Sequence, residues 1–132
     1  MITNIAEECF YRLQELHAYV KDSHETLNRF QSVLDKQLAQ CYHDIERSGE
    51  FDVAEGNNYA QKLKEILTNR RLVKDEIARL SPVYNFLRDE VEKTSDQYQR
   101  AVRRSYELRQ ELNVTGDLER VFVAFGMSNE GC

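Results

Sequence analysis

The chain has 132 residues, of which 31% are charged and 41% hydrophobic, with one Pro, five Gly and no Trp. Those totals suit one domain built from long helices and argue against a compact α/β enzyme. The net charge of −5 is distributed as −3 over residues 1–48, zero over 49–112 and −2 over 113–132, which lacks the basic surface a general nucleic-acid binder needs and is too weak for a DNA mimic.

The cysteines are Cys9, Cys41 and Cys132. Their odd number, wide spacing and lack of a CxxC pair point to reduced thiols in a cytoplasmic setting rather than to a disulfide framework. The first residues carry no basic region followed by an apolar run, so no secretory signal is expected. No stretch approaches the ~18 apolar residues of a membrane span, and no membrane role is expected.

The first predicted helix covers about residues 3–47. Its apolar seam steps by three and four through Ile2, Ala6, Cys9, Leu13, Leu16, Val20, Ser23, Leu27, Phe30, Leu34, Gln37 and Cys41, with ten of 12 slots apolar. Near its end the seam drifts to Leu38, Cys41 and Ile45, as a straight helix drifts against a strict heptad. Ser48-Gly49 stops the helix, since Gly accepts the left-handed conformation of a C-terminal cap.

Residues 48–58 form the connection. Asp52 and Glu55 have the spacing of a capping box, and Gly56-Asn57-Asn58 offers a second start, so the next helix begins between Val53 and Tyr59. From there a heptad stripe runs through Tyr59, Leu63, Ile66, Arg70, Val73, Ile77, Leu80, Tyr84, Leu87, Val91, Thr94, Tyr98, Ala101, Ser105, Leu108 and Leu112. Thirteen of those 16 slots are apolar or aromatic, well above what a 41% hydrophobic chain supplies by chance.

Pro82 interrupts this stripe. Ser81-Pro82 has the form of an N-cap followed by a first helical residue, yet the seam keeps its phase on both sides. The continuity favours one long helix kinked near Ser81 over two helices.

Folding the chain at the connection gives an all-α, antiparallel, coiled-coil-like hairpin. If Arg47 faces Asn58, then Ser23 and His24 face Ser81 and Pro82, and Arg70 falls near Leu34 and Asp35. A seam arginine needs a partner there or must reach water. At 1.5 Å per residue the first helix is roughly 65–70 Å long and the second roughly 80 Å or more, so the second overhangs near Val102–Leu112. Seam tyrosines at 59, 84 and 98 are bulky for a two-stranded coil. They suit a gap filled by a third helix, the C-terminal segment or a second chain.

After Asn113-Val-Thr-Gly116 the pattern changes. Leu118, Val121, Phe122 and Phe125 occupy one face of a short helix over about 117–125, capped by Thr115 or Asp117 and ended by Gly126. A single domain over 1–126 and a frayed tail over 127–132 complete the expected organisation.

Catalytic and metal chemistry find little support in these residues. His17 and His24 are two turns apart, too far for one metal ion, and each flanks the seam as a half-buried packing residue. His43 and Cys41 point to different faces. The Glu-x-x-His pattern of bundle di-iron sites is absent, as are phosphate loops and hydrolase motifs. Adjacent carboxylates such as Asp75-Glu76 diverge by about 100° on a helix and cannot share a proton. No enzyme activity, cofactor or metal site is expected.

Two basic edges remain: Arg71 with Lys74, and Arg100 with Arg103 and Arg104. Their plain reading is solubilising i,i+4 ion pairs, such as Arg100 with Asp96, or rim charges around a protein contact. Their sharper reading is phosphate contact.

The apolar face of Leu118, Val121, Phe122 and Phe125 either docks on the hairpin or enters a partner, because a short helix does not hold such a face in water. The expected function is a non-enzymatic protein-interaction module of adaptor, chaperone, scaffold or inhibitor type. It would bind a partner protein and form a homodimer or higher homo-oligomer. A nucleic-acid-associated accessory factor and a small phage-type inhibitor of a host protein are the alternatives. The likeness to phage and bacterial accessory proteins is one of size and build only.

Overall fold

The computed structural model describes residues 4–126. The seam position Ile2, the thiol of Cys132 and the tail over 127–132 therefore lie outside the described residues. Three helices follow in order, α1 (Ile5–Arg47), α2 (Val53–Glu111) and α3 (Leu118–Ala124). There is no strand among the described residues, and α1 and α2 pack on each other as an all-α helical hairpin.

Each helix end is set by a cap. Asn4 receives the Glu7 amide on its side-chain oxygen at 3.0 Å, so α1 starts after Asn4. At its other end Gly49 takes φ 68°, as expected. Asp52 accepts the Glu55 amide at 2.8 Å, which places the start of α2 at Val53 rather than at the Gly56–Asn58 run. The Phe51 ring, just before the cap, lies edge-on to Tyr59 at 5.4 Å and rests over Gly56. This is a hydrophobic staple in which the missing Cβ at residue 56 lets the ring reach a turn further along.

The exit from α2 is a Schellman motif. Asn113 takes φ 53°, its amide bonds Gln110 O, and the Val114 amide bonds Arg109 O at 2.9 Å. Asp117 caps α3 by accepting the Glu119 amide. Gly126, at φ 64°, follows its last turn.

Pro82 lies inside one continuous α2. Ser81 does not act as an N-cap: its hydroxyl donates back to Ile77 O at 2.7 Å. Pro82 removes the amide that would bond the carbonyl four residues earlier, and the helix is carried through this turn by the packing of its apolar face.

The chain comprises two compact units. One unites residues 4–18 with 86–126, and the other spans residues 19–85. In the 19–85 unit, Val20, Cys41 and Ile66 are buried at 3%, 0% and 5% exposure. His24 stacks on Tyr84 with ring centroids 4.0 Å apart and planes 6° from parallel. The expected partner of Arg70 is present, with its Nε donating to Asp35 Oδ1 at 2.6 Å. His24 thus meets Tyr84 rather than Ser81 and Pro82, less than one helical turn from the expected register. In the other unit Leu87 is buried at 3%, and Phe10 stacks on Tyr98 at 4.3 Å.

The two sequence seams fare differently. In α2 all 12 stripe positions from Tyr59 to Tyr98 are buried or half-buried. In α1 Leu13, Val20, Leu27, Leu34 and Cys41 lie in the seam, but Cys9, Leu16, Phe30 and Gln37 are exposed. The residues that follow these four, Phe10, His17, Gln31 and Leu38, are half-buried instead, and at Ser23-His24 both residues are half-buried. Leu38 and Ile45 therefore belong to one unslipped heptad phase, and the drift inferred at the end of α1 does not occur. Apolarity favours Leu16 and Phe30, whereas the half-buried neighbours are His17 and Gln31; half-buried His24 stacks on Tyr84.

Candidate interaction surface

The residues singled out as functional fall into three places. Arg71 and Lys74 are in the 19–85 unit, where Arg71 is exposed and Lys74 half-buried. Arg71 lies 3.9 Å from Asp75 in an i,i+4 pair, the solubilising arrangement expected of it. It also edges a shallow apolar depression formed by Leu63, Leu67 and Leu72. His24 in this unit lies within hydrogen-bond distance of Asn28, at 3.3 Å.

The second place is the far part of α2, in the other unit. Every residue from Gln99 to Leu118 is exposed. Arg100, Arg103 and Arg104 make no ion pair among the described residues. The expected pairing of Arg100 with Asp96 is therefore not formed. The stripe residues Leu108 and Leu112 keep the heptad phase yet are 51% and 62% exposed. Ala101 and Ser105 leave a hollow of about 500 Å³ along the same line, flanked by Gln97, Arg100, Arg104 and Leu108.

The third place is α3 with the turn before it. Arg109 donates from its guanidinium to Gly116 O, so the chain after the Schellman turn is tied back to the last turn of α2. The tie encloses an open hollow of about 690 Å³ lined by Tyr106, Arg109, Gln110 and residues 113–116. Sequence reasoning missed this hollow. Its signal is the pairing of an Asn that stops a helix with a Gly three residues on, which turns the chain back toward Arg109.

Leu118, Val121 and Phe122 lie in α3, and Phe125 is its C-cap residue. None is buried. Phe122 is half-buried, while Leu118, Val121 and Phe125 are exposed, Phe125 by 75%.

No set of three or more His, Cys, Asp or Glu side chains among the described residues is arranged to hold a metal ion. Cys9 and Cys41 are free thiols, one exposed and one buried. No described helix is long and apolar enough to cross a membrane. Protein-family models, curated proteins and solved structures contain no match to this chain.

Proposed function

We propose that this chain is a non-enzymatic helical interaction module of the cytoplasm, of adaptor, chaperone, scaffold or inhibitor type, that grips a partner protein with the face of α3. The observation that carries this reading is the exposure of Leu118 and Val121 of a seven-residue helix together with its C-cap residue Phe125. A helix this short has little stability of its own, and two Phe side chains on one edge are the anchors a groove on another protein accepts.

The test is an affinity pull-down from the native host with the wild type and with Phe122→Ser/Phe125→Ser, alongside thermal melts of both proteins. Loss of one specific partner at an unchanged melting temperature supports the reading. A large drop in melting temperature would show that the face is core, and retention of every partner would remove α3 from binding.

Arg100, Arg103 and Arg104, which make no ion pair among the described residues, favour a second reading, contact with nucleic-acid phosphates. A salt-sensitive mobility shift with DNA or RNA, abolished by replacing the three with Glu, is its required result. Absence of a shift at low salt disposes of it.

A further inference from the structure

The stripe of α2 continues past its last covered residue, Tyr98, through Ala101, Ser105, Leu108 and Leu112. In that order the side chains run small, small, large, large. Such a sequence is complementary to itself only when read backwards. With two copies antiparallel about a twofold axis between Tyr106 and Glu107, Ala101 faces the partner's Leu112 and Ser105 faces the partner's Leu108. Every layer then holds one small and one large residue, as close packing between facing helices requires. The hollow beside Ala101 and Ser105 is the hole, and exposed Leu108 and Leu112 are the knobs.

The flanking charges agree with that direction. In the same register Arg104 faces the partner's Glu111, and the twofold axis repeats the pair. Neither Arg104 nor Glu111 makes an ion pair within its own described chain. On the other flank Val102, itself 49% exposed, lies against the stem of the partner's Arg109. A parallel pairing reverses each point. It sets Ala101 against Ala101 and Ser105 against Ser105, leaving gaps, and it brings Arg104 next to the partner's Arg109 as like charges.

We infer that the Ala101–Leu112 stretch of α2 is a homodimer seam, closed by the same stretch of a second copy running antiparallel. This gives a specific surface and register to the self-association included in the proposed function, and its seam residues are different residues from those of the α3 face. The overlap is about three helical turns, at the low end of interface sizes, so the dimer forms and dissociates with concentration.

The experiment is sedimentation equilibrium of the full chain over a wide concentration range, with circular dichroism confirming helicity in each variant. The wild type dimerises. Arg104→Glu and Glu111→Arg each turn two attractive pairs into two repulsive ones and weaken the dimer about tenfold. Combined in one chain they restore it to within a few-fold of the wild type. Ala101→Leu weakens it by crowding the partner's Leu112, whereas in a parallel pair it would fill a gap and strengthen it. Phe125→Ser leaves it unchanged. A wild type that stays monomeric, charge reversals without effect, a combined variant no better than the single ones, or strengthening by Ala101→Leu would each overturn the pairing. Loss of the dimer with Phe125→Ser alone would move self-association to α3.

Discussion

The same heptad stripe has two fates along α2. From Tyr59 to Tyr98 its 12 residues are buried or half-buried; from Ala101 to Leu112 its four residues are exposed. The phase does not change between the two stretches. What changes is the cover: Tyr98 stacks on Phe10 of α1, whereas every residue from Gln99 to Leu112 is exposed. An apolar stripe in a sequence therefore records where a helix is able to be covered. Whether the same chain supplies that cover is a separate matter, which the stripe itself does not decide.

The sharpest way to break this contrast is to truncate one leucine from each stretch. Leu87→Ala removes a side chain 3% exposed, and a loss of about 2–5 kcal/mol in unfolding free energy is expected. Leu108→Ala, at a site 51% exposed, should cost under ~0.5 kcal/mol in dilute protein. Urea unfolding at low and high protein concentration checks both. An equal loss for the two at low concentration would mean that the far stretch is covered within one chain.

The covered stretch has a polar layer of its own, and its strength can be measured. His24 and Tyr84 stack within the 19–85 unit. Replacing Tyr84 with Leu keeps bulk and apolarity but loses the parallel ring contact, at an expected cost of about 1 kcal/mol. Tyr84→Leu combined with His24→Leu should recover part of that loss, because a Leu–Leu layer packs well in a coiled coil. A double variant less stable than either single variant would show that the layer has a different geometry in solution.

A smaller effect is expected at Arg70. Its Nε lies 2.6 Å from Asp35, but the two side chains keep 31% and 47% exposure, so water screens the pair. A double-mutant cycle of Arg70→Met and Asp35→Asn should give a coupling of about 0.2–1 kcal/mol. Lack of any coupling would reduce the pair to a surface contact.

How much of this was legible in the sequence follows from which interactions are local. The α2 stripe, the Gly49 stop, the Asp52 cap and the α3 face were all readable, because each rests on spacing within a few residues. The pairing of Arg70 with Asp35 was readable from the hairpin register. The line of α1 that holds His17, His24 and Gln31 was not. Leu16 and Phe30 are more apolar than the residues next to them, and which neighbour faces the other helix is set by packing between the helices, outside the reach of local spacing. The absent Arg100–Asp96 pair shows the same limit at the surface: i,i+4 spacing permits a pair but does not compel one. The seam of α2 is readable in full, and the difference in helix length also places its uncovered end near Val102–Leu112, where every residue is exposed.

The smallest effect expected is a gain. Gly56 lies in the first turns of α2 with the Phe51 ring above it. A Cβ there would sit 3.4 Å from Phe51 Cε2 and 3.6 Å from Cδ2, which is ordinary contact rather than collision. Gly costs a helix interior about 0.5–1 kcal/mol relative to Ala, chiefly through the freedom it has in the unfolded chain. Gly56→Ala should therefore stabilise the protein by about 0.5 kcal/mol, with part of the propensity gain spent on a small shift of the ring. Leu at the same position would push the ring off Tyr59 and should destabilise. The Ala and Leu variants, compared by thermal melting, thus separate backbone freedom from the fit of the staple. If Ala also destabilises, the glycine is there to hold the Phe51–Tyr59 contact, and the entry into the covered stretch is fixed by ring packing more than by the Asp52 cap.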